Sequence, residues 1–295
     1  PPPPPPPSFF FKAEAAIGAA QESRGLGDVY KRQIYRYAFH CRWYLVADIR
    51  IYLMSEVNVE KEEGWAQVVL NRPERKNASN GPLGLELRDA FEALSVDDEV
   101  RVILFTGAEG SFCSGLDLKS FNETPEPEWV GDFQQIWRRA HRAIFNCKKP
   151  VVGALERFAI NGGAALAIAC DLLVAGRESF IQVGEAQIGM AAPYNLAWLS
   201  LRHPESTIAR VALIGDRIYG EEMKSCGLAH VCCEDSQVLI ETKNLVAKLA
   251  AYPEHGLKRI KTVMRGAQSL GADDWFDRFT SADPVKERTK PSRVD

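Results

Sequence analysis

The sequence lacks most of the signatures that assign a function at sight. No Cys-X-X-Cys pair occurs among its seven cysteines, Cys41, Cys113, Cys147, Cys170, Cys226, Cys232 and Cys233. Their odd number and irregular spacing argue against a disulfide framework or a zinc site and fit a reducing compartment, so the expected location is cytoplasmic. No stretch reaches the ~18 uninterrupted apolar residues of a membrane span. Basic charge is not in excess: 36 Lys and Arg stand against 39 Asp and Glu, a net charge of −3. Neither nucleic acid nor a membrane is therefore an expected partner. GxGxxG and GxxxxGK[ST] are both missing, which removes the usual dinucleotide and P-loop fingerprints. What is present is globular in composition, 46% hydrophobic and 25% charged over 295 residues. That length accommodates one large domain or two small ones.

The amino-terminal segment does not resemble the remainder. Pro1 to Pro7 and Phe9 to Phe11 are homopolymers, and Ala13 to Ala20 is mostly small residues. A bare proline run suits a polyproline II spacer, and neither a signal peptide nor a transit peptide fits. Asp28-Val29-Tyr30-Lys31-Arg32-Gln33 matches the translation of GAT-GTG-TAT-AAG-AGA-CAG, the end of a transposon adapter used in sequencing libraries. Residues 1–53 are thus expected to be a non-native or disordered extension, with a core over 54–250 and a helical region over 251–295.

From Met54 the pattern is orderly. Strands are expected at Trp65 to Leu70, Val100 to Thr106, Val151 to Leu155, Leu172 to Ala175 and Phe180 to Val183. Helices are expected around Leu85 to Leu94 and over Glu128 to Asn146 and Ala164 to Ala169, then repeatedly from Asn195 to Thr280. Strands alternating with helices predict an α/β core.

Three segments carry chemistry. Ser111-Phe112-Cys113-Ser114-Gly115-Leu116-Asp117-Leu118 places a glycine turn after a strand, where backbone N–H groups can point into a cleft; alone, it reads as an ordinary turn capped by Asp117. Asn161-Gly162-Gly163-Ala164-Ala165-Leu166, ahead of Cys170-Asp171, opens a small-residue helix whose N-terminus suits an oxyanion or phosphate; close helix–sheet packing is the alternative. Gly184-Glu185-Ala186-Gln187-Ile188-Gly189-Met190 sets a glutamate among apolar residues, which predicts a buried carboxyl of raised pKa.

In this order and spacing the three segments resemble the crotonase (enoyl-CoA hydratase/isomerase) superfamily, over about Trp65 to Arg265. Asn71-Arg72-Pro73, Asn77-Ala78 and Ala229-His230-Val231 belong to the same resemblance. It implies an α/β spiral of ββα turns with a helical C-terminal region, assembled as a homotrimer or hexamer. Pro291-Ser292-Arg293-Val294-Asp295 ends short of the family's last helix, so a truncated C-terminus is expected. The resemblance also implies an acyl-CoA thioester substrate, with coenzyme A as part of the substrate and no separate cofactor or metal. The oxyanion-hole amides map to Leu116 and Gly162 and the acid/base to Glu185. Lys76, Asn77 and Ala78 map to the pantetheine entrance, Ser114 and Leu118 to the nucleotide side, and Gly163 to the glycine run. Lys258 and Lys261 are candidates for phosphate contact or, equally, a solvated helix face.

Hydratases of this family use two glutamates. Counting from Cys170-Asp171, the first falls on Ala165 and the second on Glu185. Hydration needs an acid and a base placed together, whereas shifting a double bond from C3 to C2 needs one base that moves a single proton. The pattern is therefore most similar to the 3,2-trans-enoyl-CoA isomerases. A hydratase or another crotonase reaction is the second reading. A non-catalytic acyl-CoA-binding subunit is the third, and exchange of the substrate's α-proton separates it from the enzymes.

Overall fold

The computed structural model describes residues 55–266 and 271–280. The extension expected over residues 1–53 and the ending at 291–295 lie outside the described residues. The chain opens on a hairpin, β1 (Val57–Glu62) and β2 (Trp65–Leu70), turning at Gly64. Asn80 then caps α1 (Gly81–Val96) by accepting from the Leu83 N–H at 2.8 Å. The helix buries Leu83, Leu87, Phe91 and Leu94 at helical spacing. β3 (Val102–Gly107) follows, then the short α2 (Leu118–Phe121) and the long α3 (Phe133–Asn146). The expected start of α3 at Glu128 is corrected. Glu128–Val130 forms a separate 3-10 turn, and helix resumes at Phe133 beyond the Gly131-Asp132 break.

The next stretch repeats one pattern. β4 (Val151–Leu155) enters the main sheet, β5 (Phe158–Ile160) enters a second sheet, and α4 (Gly162–Ala169) returns. β6 (Leu172–Gly176) then lies beside β4, and β7 (Phe180–Gln182) beside β5, both parallel. This is a spiral of ββα turns, each feeding one strand to each sheet. The rest of the described chain is largely helical: α5 (Pro193–Arg202), α6 (Glu205–Ala212), the two-residue β8 (Ile218–Tyr219), α7 (Gly220–Ser225) and β9 (Val231–Cys233). It continues through α8 (Val238–Ala250), α9 (Glu254–Gly266) and α10 (Ala272–Thr280). The main sheet runs β1-β2-β3-β4-β6-β9 and the second β5-β7-β8. Among the described residues no helix is long and apolar enough to cross a membrane.

β3 and β4 are buried at every position, as parallel strands covered on both faces must be. Their side chains alternate between two cores. Val102, Leu104, Val152 and Ala154 meet Val238 and Val246 of α8, while Ile103, Phe105, Val151 and Leu155 join the larger core with α1, α3 and α4.

One ionic cluster fixes α9 to this frame. The Asp171 carboxylate, at the start of β6, takes Lys261 Nζ at 2.7 Å, Arg265 Nη2 at 2.9 Å and the Val151 N–H at 2.8 Å. Lys261 also donates to the Lys149 carbonyl at 2.7 Å. The phosphate contact considered for Lys261 is therefore corrected: its ammonium is buried and paired. Lys258 pairs with Glu254 within its own helix. Burial alone pushes the Asp171 carboxyl up, but Lys261, Arg265 and the Val151 N–H outweigh it and hold it low. A depressed folded-state pKa adds stability that is present above the unfolded value and is lost as pH falls through the folded one. Asp171→Ala is expected to destabilise the protein by about 3–5 kcal/mol at pH 7, because it strands a buried ammonium. Urea unfolding measures this, and the wild-type advantage is expected to shrink as the pH drops below about 4.

Candidate active site

The site begins where the turn after β3 meets the start of α4. Cys113 leaves the main sheet and bridges to the second one: its N–H donates to Phe158 O at 3.2 Å and its carbonyl accepts from the Ile160 N–H at 3.0 Å. Gly115 follows at φ +89°, and a Cβ there would lie 2.8 Å from Ile160 O. Both the conformation and the space call for glycine. On the facing turn, a Cβ on Gly163 would lie 2.5 Å from Cys113 O. The two turns are thus packed backbone against backbone.

This packing orients two N–H groups. Ser79 N–H donates to Gly115 O at 2.7 Å and Asp117 N–H to Ser79 O at 2.9 Å, which holds the peptides on either side of Leu116. The Leu116 N–H itself meets no acceptor among the described residues. Gly162 opens α4, where the first N–H groups of a helix have no intrahelical partner, and its N–H also meets no acceptor among the described residues. A Cβ on Gly162 would touch nothing within 4 Å, so open space lies beside this donor.

The loop from Arg72 to Ser79 braces the Leu116 turn. Lys76 and Asn77 both adopt left-handed φ, 52° and 54°. Lys76 is exposed, and its carbonyl accepts from the half-buried Ser114 N–H at 3.1 Å. Asn77 is buried, its side chain fully occupied by the Arg72 N–H and the Ala108 and Ser111 carbonyls. The Ala78 carbonyl is held by the Arg72 guanidinium. Asp117 caps α2 through the Ser120 N–H and pairs with Arg72 at 2.9 Å and Arg75 at 2.7 Å. Burial pushes its carboxyl up, yet Arg75, Ser120 and Arg72 together hold it well below the usual carboxylate range. Leu118 is half-buried at the start of α2.

Glu185 follows β7 in a 3-10 turn and is only 7% exposed. Its Oε1 accepts from Asn195 Nδ2 at 2.9 Å, while Oε2 is buried with no hydrogen-bond partner. Burial pushes the carboxyl up to about 7, with its own N–H and the Asn195 amide pulling the other way. A carboxyl poised there can take a proton and give it back near neutral pH. Glu185 is tied to the glycine run, since the Gly184 N–H donates to Asn161 Oδ1 at 2.9 Å. Ala165, where a second glutamate would stand, is fully buried in α4.

Sequence reasoning passed over Asn161 as a side chain and Asn195 altogether. The available signal for Asn195 was a polar residue three and four positions before Trp198 and Leu199, on the buried face of α5. Cys113 is buried and its thiol is pushed up by burial, against nucleophilic use. His230 accepts the Leu173 N–H on Nδ1 at 3.1 Å, a structural role. Gly163→Ala is expected to separate the two turns. Urea unfolding checks this, with a loss of about 1–3 kcal/mol expected from the overpacked contact.

Comparison with known proteins agrees with this geometry. The profile of the enoyl-CoA hydratase/isomerase family matches residues 60–273. The 1,2-epoxyphenylacetyl-CoA isomerase of Escherichia coli is 28% identical over 229 residues, 76% of this chain and 87% of the relative. A putative enoyl-CoA hydratase of Thermus thermophilus is 30% identical over 222 residues, 74% and 87% of the two chains. The crystal structure of an enoyl-CoA hydratase/isomerase from Pseudoalteromonas atlantica superposes with a TM-score of 0.67 at 26% identity, covering 77% of this chain and 89% of that one. With the paired turns, the unpartnered amides and the buried glutamate in place, these matches establish that the chain belongs to the enoyl-CoA hydratase/isomerase family, the crotonase superfamily.

Proposed function

We propose that the protein shifts the double bond of an enoyl-CoA from C3 to C2, with Glu185 as the acid/base. The observation that carries this reading is the buried Glu185 carboxyl, paired on one oxygen only and joined through Asn195 to the peptide that bears one of two unpartnered backbone N–H groups. The thioester oxygen accepts from the Leu116 and Gly162 amides. Glu185 removes a proton from C2, and the resulting charge spreads over a dienolate whose oxygen those amides stabilise. The same carboxyl, now protonated, returns the proton at C4. Proton count and charge balance with no water consumed.

A hydratase is the second reading, supported by the names of several relatives. Ala165 weighs against it, because its methyl group can neither hold nor activate a water. The deciding experiment supplies cis-3-enoyl-CoA in heavy water. Conjugated 2-enoyl thioester is expected, with deuterium entering to the extent that the Glu185 proton exchanges with solvent before its return. A 3-hydroxyacyl-CoA product would transfer the assignment to the hydratase, and bound substrate with no exchange would leave only an acyl-CoA-binding role.

Two consequences follow for Glu185. The base must be ionised, so kcat is expected to rise with pH through about 7 and to fall by at least ~100-fold in Glu185→Gln. Steady-state kinetics from pH 5 to 9 reads both. Stability moves in the opposite sense. With a folded pKa near 7 and an ordinary unfolded one, the native state holds an extra proton between about pH 4.5 and 7. Wild-type stability therefore declines across that window. Glu185→Gln is expected to be the more stable protein at pH 8, by up to about 3 kcal/mol, with the difference gone by about pH 4. Thermal melting of both proteins at the two pH values checks the sign.

A further inference from the structure

We infer that Asn195 is a positioning residue that aims both halves of the site at once, the Glu185 carboxylate and the Gly162 oxyanion donor. Asn195 is 1% exposed on α5. Its Nδ2 donates to Glu185 Oε1 at 2.9 Å and to the Asn161 carbonyl at 3.0 Å. The neighbours dictate the amide's orientation. A carbonyl and a carboxylate can only accept, so the reversed amide would set Oδ1 against two acceptors.

The second contact has the larger reach. The Asn161 carbonyl and the Gly162 N–H belong to one peptide unit. In a planar trans peptide these two groups point in opposite directions, so holding the oxygen on one side aims the N–H to the other. The same carbonyl also accepts from the Ala165 N–H at 3.2 Å, within the first turn of α4. Asn161 sits at φ 52°, ψ −115°, a sparsely populated conformation for a non-glycine residue, and such conformations persist only where the surroundings fix them. The Asn195 amide supplies part of that restraint. The Asn161 side chain supplies another part, through the bond from the Gly184 N–H at 2.9 Å.

On the carboxylate, the Asn195 bond restrains Oε1 and leaves Oε2 as the oxygen with no hydrogen-bond partner, free to take the proton. Among the described residues, burial raises the Glu185 carboxyl while its own N–H and the Asn195 amide lower it. The amide therefore has leverage over both the direction and the basicity of the base. The inference rests on the reading of Glu185 as acid/base, and its test separates the two.

In wild-type protein labelled with 13C at glutamate Cδ, the Glu185 signal is assigned by its loss in Glu185→Gln. The Asn195 side-chain amide protons are expected to titrate with the midpoint of that signal. An Asn195 amide indifferent to the titration overturns the inference, with no variant required. In Asn195→Leu, and in Asn195→Ala should the first not fold, the Glu185 midpoint is expected to move up by about one pH unit, as one hydrogen bond to the ionised form is lost. The acid limb of α-proton exchange is expected to move up with it. kcat should fall ~10–100-fold from misaligned groups while KM changes little. A loss of activity at unchanged midpoint and unchanged pH profile would show a merely structural residue and also overturn the inference. Coupled titration in a protein that exchanges no α-proton would overturn the isomerase reading and leave the hold of Asn195 on Glu185 supported.

Discussion

Backbone approach at one point governs this molecule. The Cys113–Gly115 turn and the Ile160–Gly163 turn come from successive coils of the spiral, and each has a glycine where the other's carbonyl presses closest. Cys113 exchanges hydrogen bonds with the strand before the second turn, so the two turns share one short ladder. Two N–H groups on these turns, those of Leu116 and Gly162, are left without an acceptor among the described residues. Such donors are effective because they are already oriented and lie where water competes poorly. The cost is conformational: the chain must hold Gly115 at positive φ and Asn161 in a strained region. The Arg72–Ser79 loop and the Asp117 ion pairs brace the first turn, and Asn161's own side chain braces the second.

Glu185 adds the opposite kind of constraint. A buried carboxyl is unfavourable when charged, and burial pushes the Glu185 carboxyl up accordingly. The fold accepts it because one oxygen is satisfied by Asn195 and the rest of the core is dense. Glu185 and the unpartnered Gly162 N–H are linked through a few covalent and hydrogen-bonded steps across the turn after β7, α4 and α5. The chemistry depends on their relative placement rather than on any one side chain's strength.

Much of this was legible in the sequence, and the exceptions have physical causes. β3 and β4 were visible because parallel strands buried on both faces must be continuous apolar runs. The glycine turns were visible because backbone requirements leave few residue choices. β1 was not expected, since Val57-Asn58-Val59-Glu60-Lys61-Glu62 is half charged; its order comes from pairing with β2. β9 offered only Val231-Cys232-Cys233, too short to outweigh its surroundings. Lys261 looked like one more cation on a helix rich in them, because its partner Asp171 lies ninety residues earlier. Asn195 was missed for a similar reason. A single polar residue in an apolar helix gains meaning only from the acceptors it faces.

The unpartnered N–H of Leu116, proposed here as an oxyanion donor, has one more consequence, for how such a site can change over generations. The donor is a peptide group, identical for every residue but proline, so substitutions at position 116 that spare the backbone leave it in place. What it cannot survive is a shift in register: one residue inserted or deleted between Cys113 and Asp117 would turn the N–H away while leaving the composition nearly untouched. The carboxylate half has a different weakness, being erased by a single codon change at Glu185. On the proposed reading, a scaffold divided in this way can acquire new chemistry by altering the carboxylate alone while the backbone donors stay in place.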